Sequence, residues 1–171
     1  FVEGFEKMGL LNPCISIFGS ARTPKEDPNY KLATEIAKRI VGLGFGVITG
    51  GGPGIMEAAN KGAQEAGGAS VGLTIDLPFE EKHNEFIDSN RLINFDYFFI
   101  RKVMFVKYAQ AFVVMPGGFG TLDELLEAMT LIQTNKIKKF PIILVGKSFW
   151  SGLVDWLKNT LIEKNKTIVK L

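Results

Sequence analysis

Residues 116–124 read PGGFGTLDE, and this stretch gathers the residue types best suited to chemistry. Gly117, Gly118 and Gly120 leave backbone N–H groups bare beside an expected helix start, an arrangement that receives an anion such as a phosphate. Thr121 is the expected N-cap, with Glu124 three residues later completing a capping box. A cap alone would account for Thr121 and Glu124, but not for three glycines in four residues. Asp123 and Glu124 would stand close to the bound anion. A carboxylate there is costly unless it faces a sugar hydroxyl, a water or a developing cation. Arg101 or Lys102 would close the far side of the ligand. A phosphate anchor, a carboxylate and an arginine together suit cleavage of the N-glycosidic bond of a nucleotide. The carboxylate would stabilise oxocarbenium-like charge and steer water, and the arginine would orient the substrate or assist the departing base. The competing readings are a capping box for Glu124 and a surface salt bridge for Arg101.

The elements around these residues follow from periodicity. Residues 111–115 (AFVVM) read as a strand that Pro116 stops, and residues 122–133 as a helix. Residues 45–49 (FGVIT) form a second strand, followed by Gly50-Gly51-Gly52-Pro53-Gly54 and a helix from Ile55 to about Ala66. Residues 14–18 (CISIF) form a strand that runs into Gly19-Ser20-Ala21-Arg22. That exit reads equally as a ligand loop or as a plain turn with Arg22 in solvent. Helices are expected over residues 30–41, 98–109 and 149–161, and strands over 70–75, 91–95 and 141–146. The last strand is apolar enough to be covered on both faces. Residues 1–13 form an amphipathic lead-in to pack on the domain or on a partner. Residues 76–90 form a long polar loop, and its His83 is kept out of the site.

This alternation predicts an α/β fold: a single-domain doubly wound parallel sheet over residues 1–171, Rossmann-like, with helices on both faces. Ligands of such sheets sit beyond the carboxyl ends of the strands. That rule gathers Ser20, Arg22, residues 50–54 and residues 117–121 around one crevice.

Composition narrows the partners. The chain has 171 residues, 46% of them hydrophobic and 22% charged, which suits a globular domain with a proper core. A net charge of +2 offers no argument for a nucleic-acid partner. No apolar stretch reaches the roughly 18 residues of a membrane span. The single Cys14 reads as a buried thiol in a reducing, cytoplasmic compartment. The chain starts at Phe1 rather than Met, as a fragment or an ordered core would. No G-x-G-x-x-G occurs. Gly146-Lys147-Ser148 resembles the end of a P-loop, but Pro141 occupies the place of its first glycine. Residues 68–72 spell G-x-S-x-G, yet they follow a helix and open a strand, the reverse of a nucleophile elbow. No Cys/His cluster could hold zinc.

The motifs PGGFGTLDE (116–124), GGGPGIMEAAN (50–60), FGSAR (18–22) and RKVMF (101–105) together resemble the LOG family, over residues 14 to about 156. Its members are cytokinin riboside 5′-monophosphate phosphoribohydrolases that have also carried the label lysine decarboxylase. The resemblance implies release of a free base and ribose 5-phosphate from a nucleoside 5′-monophosphate such as AMP, without a metal or organic cofactor. It implies Arg101 and Glu124 as the catalytic pair. It implies phosphate and ribose contacts at Gly117, Gly118, Gly120, Thr121 and Asp123. Gly19, Ser20, Gly51, Gly52, Lys102 and Met115 complete the expected substrate-binding set. A homodimer or higher homo-oligomer is the expected assembly. Ile55-Met56-Glu57 after Gly54 and the 76–90 loop point to the bacterial branch rather than the plant one. The alternatives are a nucleotide-binding or sensing protein without turnover, and a carrier for another phosphorylated ligand.

Overall fold

The computed structural model describes residues 2–9, 11–75 and 83–163. The element order is α1 (Val2–Gly9), β1 (Cys14–Phe18), α2 (Pro28–Gly42), β2 (Gly46–Thr49), α3 (Ile55–Glu65), β3 (Ser70–Ile75) and β4 (Leu92–Phe95). Then follow α4 (Phe98–Tyr108), β5 (Ala109–Val114), α5 (Phe119–Gln133), β6 (Ile142–Leu144) and α6 (Lys147–Trp156). All six strands pair in parallel in the order β4-β3-β2-β1-β5-β6. The chain winds outward from β1 to β4, then returns to place β5 on the other side of β1. That reversal makes the β1/β5 boundary the switch point, where the loops leave in opposite directions and a crevice opens.

Alternate strand residues feed two cores, as a pleated strand requires. Ile17, Val47 and Val113 face α2 and α3 and meet Tyr30, Ala33, Ala37, Ala58 and Ala63. Phe18, Ile48, Phe112 and Val114 face the other way and meet Met104, Phe105, Leu125, Ala128 and Trp150. Helices therefore cover both faces. The lead-in packs on its own chain: Met8 is buried, and a Cβ on Gly4 would lie 3.0 Å from the Met104 side chain and 3.2 Å from the Phe95 ring.

Three expectations are corrected. Thr121 is not an N-cap: α5 begins at Phe119 with Gly118 as its N-cap, so the capping box does not form. The helix starts three residues earlier than expected, directly after Gly118. The last strand is only three residues long and lies at the sheet edge, part-buried rather than doubly covered. The strand before the motif begins at Ala109 and ends at Val114, although Met115 N still donates to Phe18 O at 2.8 Å. Residues 76–82 of the long loop lie outside the described residues.

The rest of that loop is tied down by a buried polar cluster. Asn60 uses every hydrogen-bonding position of its amide. Its Oδ1 accepts from Thr49 Oγ1 at 2.6 Å and from Asn84 Nδ2 at 3.0 Å. Its Nδ2 donates to Ser70 Oγ at 2.9 Å and to Val71 O at 3.2 Å. Asn84 Nδ2 also reaches the carbonyls of Gly51 and Gly52, and Gly51 N donates to Thr49 Oγ1. One side chain on α3 thus fastens the glycine turn after β2 to β3 and to the returning loop. Asn60→Ala is expected to destabilise the fold by about 1–3 kcal/mol, because it leaves buried partners unsatisfied. A lower urea midpoint at unchanged slope would show this.

Candidate functional site

Two main-chain hydrogen bonds bring the ends of β1 and β5 and the start of α3 together. Ser20 N donates to Pro116 O at 3.1 Å, and Ile55 N donates to Ser20 O at 3.0 Å. This closeness dictates the glycines. A Cβ on Gly19 would lie 2.5 Å from the Ile55 side chain, one on Gly54 2.4 Å from Ser20 O, and one on Gly117 2.1 Å from Thr121 Oγ1. Gly118 and Gly120 differ: a Cβ on either would meet nothing within 4 Å. Both border a cavity, so the space before them is open to a ligand. The first-turn amides of α5 have no intrahelical acceptor and carry the positive end of the helix dipole. An anion seated there would meet both.

The cavity holds about 520 Å³. Phe18, Met56, Phe98, Phe105 and Phe119 give it an aromatic and apolar wall. Its charged residues are Arg22 at the rim, Arg101 and Glu124. Arg101 comes from α4, with its guanidinium carbon 5.1 Å from the Phe98 ring centroid and 5.8 Å from that of Phe105. Glu124 comes from the second turn of α5 and is buried. Arg101 Nη2 stands 4.0 Å from Glu124 Oε1, too far for a hydrogen bond and close enough for strong attraction. Burial pushes the Glu124 carboxyl up to about 7, with Arg101 and then Lys102 pulling against it.

The expected site residues separate into two groups. Gly19, Ser20, Arg101, Gly118, Gly120, Thr121 and Glu124 line the cavity together. Gly117 stands just behind, against Thr121 and Ser20. Gly51 and Gly52 turn their carbonyls to Asn84 instead, and Met115 is fully buried in the α2/α3 core. Lys102 and Asp123 pair with each other at 2.7 Å outside the lining, and Lys102 also reaches Glu127 at 3.1 Å. Met56, Phe98, Phe105 and Phe119 line the cavity without having been expected to. A signal existed for Phe119, which sits between the glycines of the motif. The others read only as core positions on helices.

The family model described as "Possible lysine decarboxylase" matches residues 56–170. The chain is 34% identical over 145 residues to the cytokinin riboside 5′-monophosphate phosphoribohydrolase of Mycobacterium tuberculosis, covering 82% of this chain and 75% of that protein. The chain belongs to the LOG family. A rice LOG-family enzyme, the cytokinin riboside 5′-monophosphate phosphoribohydrolase LOG of Oryza sativa subsp. japonica, is 32% identical over 85% of this chain and 60% of its own length. Among solved structures, the molybdenum cofactor carrier protein of Chlamydomonas reinhardtii superposes with a TM-score of 0.58. It is 26% identical, covering 83% of this chain and 85% of that one. The LOG-family motif therefore sits on a fold shared with a ligand carrier.

The raised Glu124 pKa has a stability consequence in this LOG-family chain. The folded protein holds the Glu124 proton more tightly than the unfolded chain does. That preference stabilises the fold fully below about pH 4.5, and it is lost as pH rises through about 7. Glu124→Gln stays neutral throughout. Its Tm is expected to match that of the native protein near pH 5 and to exceed it near pH 8, in parallel thermal melts.

Proposed function

We propose that this LOG-family chain hydrolyses the N-glycosidic bond of a nucleoside 5′-monophosphate, AMP or a cytokinin riboside monophosphate, to a free base and ribose 5-phosphate. The observation that carries the reading is the pair of part-buried Arg101 and buried Glu124 in a cavity whose neighbouring wall is the open, glycine-bordered start of α5. The phosphate docks on the first-turn amides of α5 beside Ser20, with Arg22 adding positive charge at the rim. The base lies against the aromatic wall. As the C1′–N bond breaks, the bonding electrons leave with the base and positive charge grows on the sugar ring. Ionised Glu124 stabilises that charge and takes one proton from the attacking water, while the departing base nitrogen takes up a proton from solvent, so that water is split between sugar and base. Arg101 holds the departing base and keeps Glu124 oriented. The mycobacterial relative's name agrees with this activity.

The label lysine decarboxylase fits the cavity poorly. Among the described residues no lysine lines it to form a Schiff base. The likeness to a molybdenum cofactor carrier names the second reading to test against it, a protein that binds its ligand without turning it over.

Chromatography of the protein incubated with AMP separates these readings. Release of adenine and ribose 5-phosphate is expected, with kcat lowered about 10²–10⁴-fold in Glu124→Gln. Equal release by both proteins removes Glu124 from its role, and tight binding without product favours the carrier. The kcat/KM profile is expected to fall on the acid side of about pH 7, because ionised Glu124 is the working form.

The same reading includes a homo-oligomer. Phe98, Phe99 and Val103 of α4 and Phe119 and Leu126 of α5 are exposed apolar side chains on the helices that form the site. Light scattering is expected to give at least twice the chain mass of 18.9 kDa.

A further inference from the structure

Arg101 and Lys102 are consecutive on α4, and Asp123 and Glu124 are consecutive on α5. The two helices pair them crosswise: Arg101 with Glu124 at 4.0 Å, and Lys102 with Asp123 at 2.7 Å. Lys102 also faces Glu127, one turn further along α5, at 3.1 Å. Its side chain is 18% exposed and does not line the cavity, so it stands behind the reacting pair rather than beside a ligand. Pairs with one exposed partner, as Asp123 is, contribute little to stability. The effect of this cluster is on geometry and field.

We propose that Lys102 is a positioning residue: by bridging Asp123 and Glu127 it fixes α4 against α5, sets the Arg101–Glu124 separation, and shields Glu124 from its two acidic neighbours. This rests on the reading of Arg101 and Glu124 as the catalytic pair. The charged groups around Glu124 are Arg101 and Lys102 on α4 and Asp123 and Glu127 on α5, with Arg22 across the cavity in the loop after β1. Both cations favour the carboxylate and both acids oppose it. Glu127 Oε2 is buried and has no aligned hydrogen bond among the described residues, so its charge is balanced mainly by Lys102. Without Lys102, Arg101 alone would oppose the two acids at Glu124, and the ion pairs that tie α4 to α5 beside it would be gone. A lysine in contact with substrate phosphate would act differently, through KM.

The test follows the ionisation of Glu124 directly, by ¹³C NMR titration of its side-chain carboxyl, assigned through Glu124→Gln. Lys102→Met is expected to move the midpoint upward by about one pH unit, and Asp123→Asn to move it downward. Lys102→Arg is expected to restore the native midpoint. In assays with AMP, the acid limb of kcat/KM moves with the midpoint while KM stays within about twofold of native. An unchanged midpoint in Lys102→Met overturns the proposal, as does a large rise in KM with no change in midpoint. If Lys102→Met fails to fold, Asp123→Asn decides: its side chain is half exposed, and an unmoved midpoint there also overturns the proposal. A protein that turns over no nucleotide but shows the expected titrations fails the hydrolase reading and keeps the brace.

Discussion

The site depends on how closely three backbone segments approach one another at the switch point of the sheet. Ser20 gives its N–H to Pro116 and receives that of Ile55, so one residue joins the exits of β1 and β5 to the entrance of α3. No side chain fits between them: Cβ atoms on Gly19, Gly54 or Gly117 would fall within 2.5 Å of neighbouring atoms. The start of α5 is thereby held beside β1, its first-turn amides opening on the cavity. Gly118 and Gly120 serve a different purpose, since they border empty space. Glycine makes contact possible at the first set of positions and access possible at the second.

Against this rigid backbone stands an electrostatic cost. Glu124 is buried in a wall that is largely aromatic, where a carboxylate is poorly solvated. Arg101 offsets only part of that cost, because 4.0 Å is too long for a hydrogen bond. The carboxyl is left near neutral pH, where it can exchange a proton with water during a reaction. The protein holds this tension with structure elsewhere: the Asn60 cluster fastens the glycine turn after β2, and Lys102 joins the two helices that carry the pair. The Asn60 cluster supplies stability beside the site, and the Lys102 pairs supply geometry.

Several features were legible in the residues alone. Short apolar runs marked β1, β3 and the body of β5, and the glycine turns marked three strand ends that meet at one crevice. The motif 116–124 located the carboxylate, and the paired motifs carried the family. Partner choice was not legible. Lys102 and Asp123 each look like a ligand contact, and the structure pairs them with each other. Gly51 and Gly52 look like a phosphate cradle, and their carbonyls accept from Asn84, more than thirty residues away. Thr121 has the form of a cap but lies inside the helix.

The division has a physical basis. Local spacing records which face of an element is apolar and where the backbone needs glycine, because those demands act within a few residues. By itself the sequence therefore determined the alternating parallel architecture, the crevice at the strand ends, and the candidate pair Arg101 and Glu124. It could not determine the register of α4 against α5, which depends on how whole helices settle on the sheet. Only the tertiary structure decided that Arg101 faces Glu124 across open space while Lys102 is consumed by Asp123 and Glu127. Two neighbouring cations with the same propensities acquire different surroundings because a helix turns by about 100° between them.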